Sequence, residues 1–400
     1  MDLKSDALFW PRLSRTPTTH GPLRQNLHCD VAVIGAGLSG AMIAHALSDE
    51  GLDVVILDKR GVGHGSTSAS TALVLYEIDT PLIELARQRG RAAAVKTYRR
   101  CLDAIAELAA LVRQLKSPCG FRRRQSLYLA SRPTELGTLK QEFAARKRAG
   151  LDVQFLTRPD VEKWFSFSAP GAIYSADAAE VDPFRLTTLL IKAARRQGAR
   201  VFVRTEATNV SESQHGVIVH TSAGHRVTAR WVVVAAGFES AAKAARRVVR
   251  LKSSYALATR PVNAFPGWHQ RCLIWETKRP YLYLRTTADD RIMIGGEDED
   301  FIDARKRDRL IRTKCTVLTR KLRQLFPDIP VEPACAWAGT FGETKDGLPY
   351  IGPLKPGSRV LYALCYGANG TNFAVIAADI IRNSILQKRN AYARLFEFGR

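Results

Sequence analysis

Residues 30–40, DVAVIGAGLSG, constrain this chain more than any other stretch. The apolar run 31–34 reads as a strand and 41–47 as a helix, with Gly35, Gly37 and Gly40 between them in G-x-G-x-x-G spacing. In that context each glycine has a physical task. Gly35 permits a tight turn, Gly37 lets backbone approach a pyrophosphate, and Gly40 lets helix and strand pack closely. The helix N-terminus, opened by Leu38 and Ser39, then aims its unpaired N–H groups at the phosphates. A second apolar run, 54–57, ends in Asp58, 18 residues after Gly40 and followed by Lys59. A carboxylate there can accept ribose hydroxyls, and argues against a 2′-phosphate. The motif fixes a dinucleotide without saying which one.

Four hundred residues exceed the roughly 250–300 at which a single core stops growing, so two domains are expected. Helical sequence covers 81–115 and 183–197, and strands are expected at 126–130, 199–203 and within 281–294. Two further strands flank a turn at Ala223 and Gly224 and end in 231–235. The expected class is α/β, α+β overall: a Rossmann-type dinucleotide domain made of 29–100, 150–250 and 335–390. It is interleaved with a substrate domain, 101–149 and 251–334, built on a largely antiparallel sheet.

The chain carries 60 Lys plus Arg against 38 Asp plus Glu, a formal +22, which favours anionic partners electrostatically. Its densest basic stretch, 304–325, also shows an apolar stripe at helical spacing (Leu310, Ile311, Val317, Leu318, Leu322, Leu325), so a surface helix accounts for it. No basic block is interleaved with aromatics as in nucleic-acid platforms, and the surplus stays open between solvated surface and partner. The seven cysteines form no C-x-x-C pair, so neither a metal site nor a disulfide framework is signalled. The first thirty residues lack the apolar core of a signal peptide, and no run approaches the ~18 residues of a membrane span. A soluble, cytoplasmic protein is expected.

After the second strand comes a small, hydroxylated loop, GVGHGSTSAST at 61–71, where the alternating strands and helices of an NAD dehydrogenase would be expected to continue. With WVVVAAG at 231–237, WAGTFGETKDGLPYIGP at 337–353 and LYALCYGANGTNF at 361–373, the chain resembles the FAD-dependent superfamily of D-amino-acid, glycine and sarcosine oxidases. AEVDPFR at 179–185 and RIMIGG at 291–296 are also family-like, and the resemblance covers nearly the whole chain. It implies FAD, held non-covalently, with Gly35, Gly37, Gly40 and Asp58 on the ADP half. Ser66 and Thr67 would line the pyrophosphate and flavin side, and Ala236 and Gly237 would close over the adenosine. Gly367, Asn369, Gly370 and Thr371 would present a helix N-terminus to the flavin pyrimidine ring, where reduction leaves negative charge.

In glycine-oxidase-like relatives an Arg-Pro after Trp-x-Gly grips the substrate carboxylate; here Phe341 stands instead. An amine, a blocked amino acid, or a carboxylate held from elsewhere is therefore expected. Tyr281, Tyr283 and Arg285 alternate, so they share a strand face as candidate pocket residues, with Arg285 as the replacement carboxylate grip and 122–124 (three arginines) as a second possibility. No cysteine occupies 339–344 and Ser68 and Ala69 follow the GST motif, leaving His64 as the nearest histidine for a covalent flavin linkage. The resemblance implies hydride removal from a carbon bearing nitrogen, chemistry that the cofactor performs while the protein orients the donor. Met293 stands where sarcosine oxidases carry an oxygen-activating lysine, so the acceptor is oxygen or a carrier. Two alternatives remain: the same fold oxidising an alcohol such as a glycerol phosphate, and a flavin enzyme acting on tRNA.

Overall fold

The computed structural model describes residues 2–13, 20–214, 216–239, 249–364, 366–367 and 369–400. Cys365 and Ala368 of the C-terminal motif lie outside them. The chain builds two sheets. The first has a core of five parallel strands in the order Val360–Leu364, Arg226–Val234, Leu27–Ile34, Val54–Leu57, Arg200–Phe202. Val31, Val33, Val54 and Ile56 are fully buried, as near-continuous apolar runs in a doubly covered parallel sheet should be. The helix Leu38–Ser48 lies on this sheet, flanked by Pro183–Arg196 and Gly370–Ile385.

The second sheet orders Pro333–Thr344, Val249–Thr259, Ile292–Glu299, Tyr283–Thr286, Leu273–Glu276, Arg122–Leu129, Gly171–Glu180 and Leu73–Leu75, with Val153–Thr157 added beside Gly171–Glu180. All its pairings are antiparallel except Leu273–Glu276 with Arg122–Leu129. The fold class is as expected, but sheet membership is more deeply interleaved. Leu73–Leu75, Val153–Thr157, Gly171–Glu180 and, from residue 335 on, Pro333–Thr344 fall within segments expected in the dinucleotide domain, yet pair in the second sheet. Strand identity was legible locally; which sheet a strand joins is set by long-range pairing, which alternation does not encode.

The basic helix Ala304–Leu325 packs under the second sheet through Leu318 and Leu322. One of its cations is not a surface charge. Arg307 is fully buried and donates to the Asp2 carbonyl and to Asp308 and Thr340. The expected helix 81–115 is divided at Gly90, which adopts φ 80°. At the start of Pro183–Arg196, Asp182 accepts from the Phe184 and Arg185 N–H groups at 2.9 Å each. Asp182→Ala should therefore cost ~1 kcal/mol, read as a lower denaturant midpoint at unchanged slope; an unshifted midpoint would remove the cap from this account.

Candidate functional site

A cavity of about 1210 Å³ runs between the two sheets. It exceeds the roughly 300–1,000 Å³ of an ordinary small-molecule pocket, so it has room for a dinucleotide and a substrate together. Gly35, Gly37, Leu38, Ser39, Asp58, Lys59, Ser66, Thr67, Ala236 and Gly237 all line it; Gly40 stands just behind. Two of the glycines, Gly35 and Gly40, are sterically required. A Cβ on Gly35, whose φ is 112°, would lie 2.5 Å from the Ala235 carbonyl oxygen, and one on Gly40 only 1.8 Å from that of Gly35. Strand, turn and helix can close on each other only without those side chains.

Asp58 does more than await a ribose. Its Oδ2 accepts from the Ala36 N–H at 2.8 Å and its Oδ1 from the Arg60 N–H at 2.7 Å, so the carboxylate ties the glycine loop to the following turn and keeps its remaining lone pairs for hydroxyls. The hydroxyl of Thr67 accepts from the Leu38 N–H at 3.0 Å, holding the 3₁₀ turn Ser66–Ala69 against the helix start. Lys59 and Arg60 both pair with Glu239 at 2.6 Å, at the end of the cavity beside Asp58.

At the other end, Gly367, Asn369, Gly370 and Thr371 line the cavity, and Gly370–Ile385 starts there with no side-chain cap, so its first-turn N–H groups lack intrahelical partners at the cavity wall. The amide of Asn369 is committed elsewhere: Nδ2 donates to the carbonyls of Leu75 (3.1 Å) and Glu77 (2.7 Å). Asn372 does the same toward Leu75 and Cys101. These two side chains fasten residues 75–77 to the helix start, a role the sequence reading missed.

Trp275, Tyr281, Tyr283 and Phe341 form an aromatic wall of the same cavity. Tyr281 donates to Asp79 Oδ1 at 2.7 Å, and its ring stands edge-on to Trp275 and Tyr283. Burial and the Asp79 charge push the Tyr281 hydroxyl up, so it stays protonated. Gly295 is the seat for Tyr283, since a Cβ there would fall 2.4 Å from the tyrosine ring; this explains part of the RIMIGG motif. Arg285 is a correction. It is 1% exposed, outside the cavity lining, and its guanidinium donates to the carbonyls of Ala72, Val181 and Thr286 beside the Trp10 ring. It holds backbone and is not available to grip a carboxylate. Of 122–124, Arg124 pairs with buried Glu180 and none lines the cavity.

Sequence reasoning also missed the N-terminal segment. Its residues 2–10 run beside Pro333–Thr344, with Thr340 N–H donating to the Leu3 carbonyl at 2.7 Å and Trp10 Nε1 to that of Ser70 at 2.7 Å. Phe9 stacks on Trp337 at 6.1 Å, and Leu3 and Lys4 reach the cavity. The aromatic pair Phe9–Trp10 in an otherwise polar stretch was the available signal.

Several buried polar atoms lining the cavity have no hydrogen-bond partner among the described residues: Glu77 Oε2, Tyr255 Oη and Trp275 Nε1. Such atoms are costly unless a ligand or water meets them. With the glycine cradle and the uncapped helix, they fit an extended flavin dinucleotide. Among the described residues no His or Cys lines the cavity, which suits non-covalent binding; His64 instead packs edge-on to Phe184. No group of three metal-ligating side chains and no helix long and apolar enough to cross a membrane occurs among the described residues.

Known proteins share this arrangement. The glycine oxidase of Geobacillus kaustophilus is 25% identical over 382 residues, covering 91% of this chain and 94% of that protein. Its crystal structure superposes with a TM-score of 0.77, at 22% identity over 94% of this chain and all of that one. The gamma-glutamylputrescine oxidoreductase of Escherichia coli is 24% identical over 405 residues, covering 93% of this chain and 88% of that protein. Residues 30–383, which carry the glycine cradle, both sheets and the uncapped helix, match the family model described as FAD dependent oxidoreductase, and the chain belongs to that family.

Proposed function

We propose that this FAD-dependent oxidoreductase oxidises the carbon–nitrogen bond of an amine or amino-acid-like substrate. The observation that carries the reading is the continuity of one cavity from the dinucleotide cradle to a wall of Trp275, Tyr281, Tyr283 and Phe341, with room for a donor beside a flavin. When bound, FAD supplies a two-electron acceptor for the hydride leaving the carbon beside nitrogen. The protein's share is orientation and electrostatics. Hydride loss needs the reacting nitrogen in its neutral form, which alone has the lone pair that drives it. Tyr281, fixed by Asp79, holds the aromatic wall in one position, and the N-terminus of Gly370–Ile385 stabilises negative charge developing beside it.

The relatives named above, a glycine oxidase and a gamma-glutamylputrescine oxidoreductase, support C–N chemistry. A phosphate-bearing alcohol is less well served: the cations on the cavity wall are Lys4, Lys59 and Arg60, and the last two are paired with Glu239. We further propose that the cofactor domain comprises the elements of the parallel sheet and its helices, and the substrate domain all strands of the second sheet. In the test, purified protein should be yellow and be bleached anaerobically by an amine, with release of ammonia or a smaller amine. Readmitted air then separates an oxygen-using enzyme from one using a carrier by the rate of colour return. Bleaching by glycerol phosphate and by no amine would replace this reading with alcohol oxidation.

A further inference from the structure

The cavity wall inverts the charge of the chain. In a protein of net +22, the lining carries six carboxylates (Asp58, Glu77, Asp79, Glu206, Glu239, Asp298) against three cations. Lys59 and Arg60 are bound to Glu239 at the end beside Asp58, and the charge of Lys4 is felt by His64 beside the dinucleotide loop. Among the described lining residues the aromatic end therefore carries Glu77, Asp79 and Asp298 and no cation; nearby cations outside the lining include Arg146, paired with Glu77, and Arg279, which packs over the Tyr281 ring and donates to the Asp79 carbonyl.

Asp298 is placed there by a specific irregularity. Four acidic residues run from 297 to 300. Ser253 pairs with Glu299 but Tyr255 with Gly296, so two residues, Glu297 and Asp298, oppose one, and Glu297 takes φ 57°. Such a bulge re-aims side chains. Glu297 and Glu299 turn to the basic helix, pairing with Lys321 and Lys314, and Asp300 pairs with Arg250. Asp298 alone lines the cavity, its Oδ1 buried without a hydrogen-bond partner among the described residues. Glu77, 1% exposed and on the same segment as Asp79, also has an unmatched Oε2, but its Oε1 is already paired with Arg146 and Ser126, so it contributes less free charge than Asp298. Carboxylates beside Trp275, Tyr281 and Tyr283 form a surface that attracts cations through both charge and ring quadrupoles.

We propose that this wall selects substrates by positive charge: an amine bearing a second cationic group, such as a diamine, whose distal ammonium is held by Asp298 and Asp79 against the tyrosine and tryptophan rings. It rests on the C–N oxidation reading and names its substrate class. Phe341 stands where the resemblance implies a carboxylate-gripping arginine, and Arg285 is committed to backbone carbonyls, so neither expected partner for an anionic substrate faces the cavity.

The test uses non-oxidisable probes on the holoenzyme: benzyltrimethylammonium and its anionic counterpart benzoate, each titrated by perturbation of the flavin spectrum. The cation should bind at least tenfold tighter. Asp298→Asn should lose at least tenfold in cation affinity with flavin content unchanged, and Asp298→Glu should restore most of it. Burial raises the Asp298 carboxyl to about 6, against the opposing pull of Ser254 and Lys252 and with Glu343 and Asp79 adding to the rise. Cation affinity should accordingly fall as pH drops through 6, where Asp298 takes up its proton, and in Asp298→Asn this pH dependence should vanish. Equal or tighter benzoate binding, or an Asp298→Asn variant that binds the cation as before, overturns the proposal. If the cation binds while no amine bleaches the flavin, charge selection stands and C–N oxidation falls; bleaching by amines without cation binding does the reverse.

Discussion

Gly40→Ala should yield a colourless protein. In an ordinary helix interior, alanine for glycine stabilises by about 1 kcal/mol, and Gly40 lies inside Leu38–Ser48 with no positive φ to excuse it. The new Cβ, however, would sit 1.8 Å from the Gly35 carbonyl oxygen. The obstacle is backbone, so no rotamer change relieves it. The helix start must move away from the strand Leu27–Ile34, and Leu38 N–H then loses its bond to Thr67, which holds the flavin-side loop. Loss of geometry at the pyrophosphate should reduce FAD affinity by orders of magnitude, measured as the ratio of visible to 280 nm absorbance after purification and as the FAD concentration needed for reconstitution. Thermal stability should fall where helix propensity says it should rise. A yellow variant with full flavin content would mean that the strand–turn–helix unit tolerates a gap that the packing denies.

That cradle was legible because its signals are local. Gly35, Gly37 and Gly40 act within one turn of chain, and Asp58 arrives at the end of the next strand. Tyr281 and Tyr283 also reach the cavity, as their alternation implied. Arg285 shares that alternation, yet lies farther along the sheet, where the carbonyls of Ala72 and Val181 close over it; alternation gives a face and not a depth. Asp298 was invisible for a related reason. A run of four acidic residues reads as solvated charge, and only the pairing of Val249–Thr259 with Ile292–Glu299 reveals a bulge that turns one of them inward. Arg307 in the basic helix and Phe9–Trp10 near the N-terminus owe their burial to segments about three hundred residues away in sequence or, for Trp10, to the loop at Ser70. Local chemistry was readable, and long-range register was not.

Arg146→Met should be strongly destabilising. The guanidinium is fully buried, donating from Nε to Glu142 at 2.8 Å and from Nη1 to Glu77 at 3.3 Å, with the rings of Tyr98 and Tyr128 within 6 Å. Glu142 also accepts the N–H groups of Leu82 and Ile83, and Glu77 the hydroxyl of Ser126. Removing the one cation leaves two carboxylates in an apolar interior, a loss of about 3–5 kcal/mol. The sign of the pH dependence follows from Glu77, whose carboxyl is already raised by burial despite Arg146. A carboxyl whose folded pKa lies above its unfolded value favours the native state at low pH, and that stability is lost as pH rises through the folded pKa. Without Arg146 the folded pKa climbs further, so the variant's deficit in denaturant midpoint should be larger at pH 8 than at pH 5. Adding Glu77→Gln to Arg146→Met should recover part of the pH 8 deficit, because it removes one of the two stranded charges. A deficit equal at both pH values would show that packing, not charge, is what Arg146 provides. Glu77 also lines the cavity, with its Oε2 buried and without a hydrogen-bond partner among the described residues, so Arg146 is what fixes the position of that carboxyl at the cavity edge.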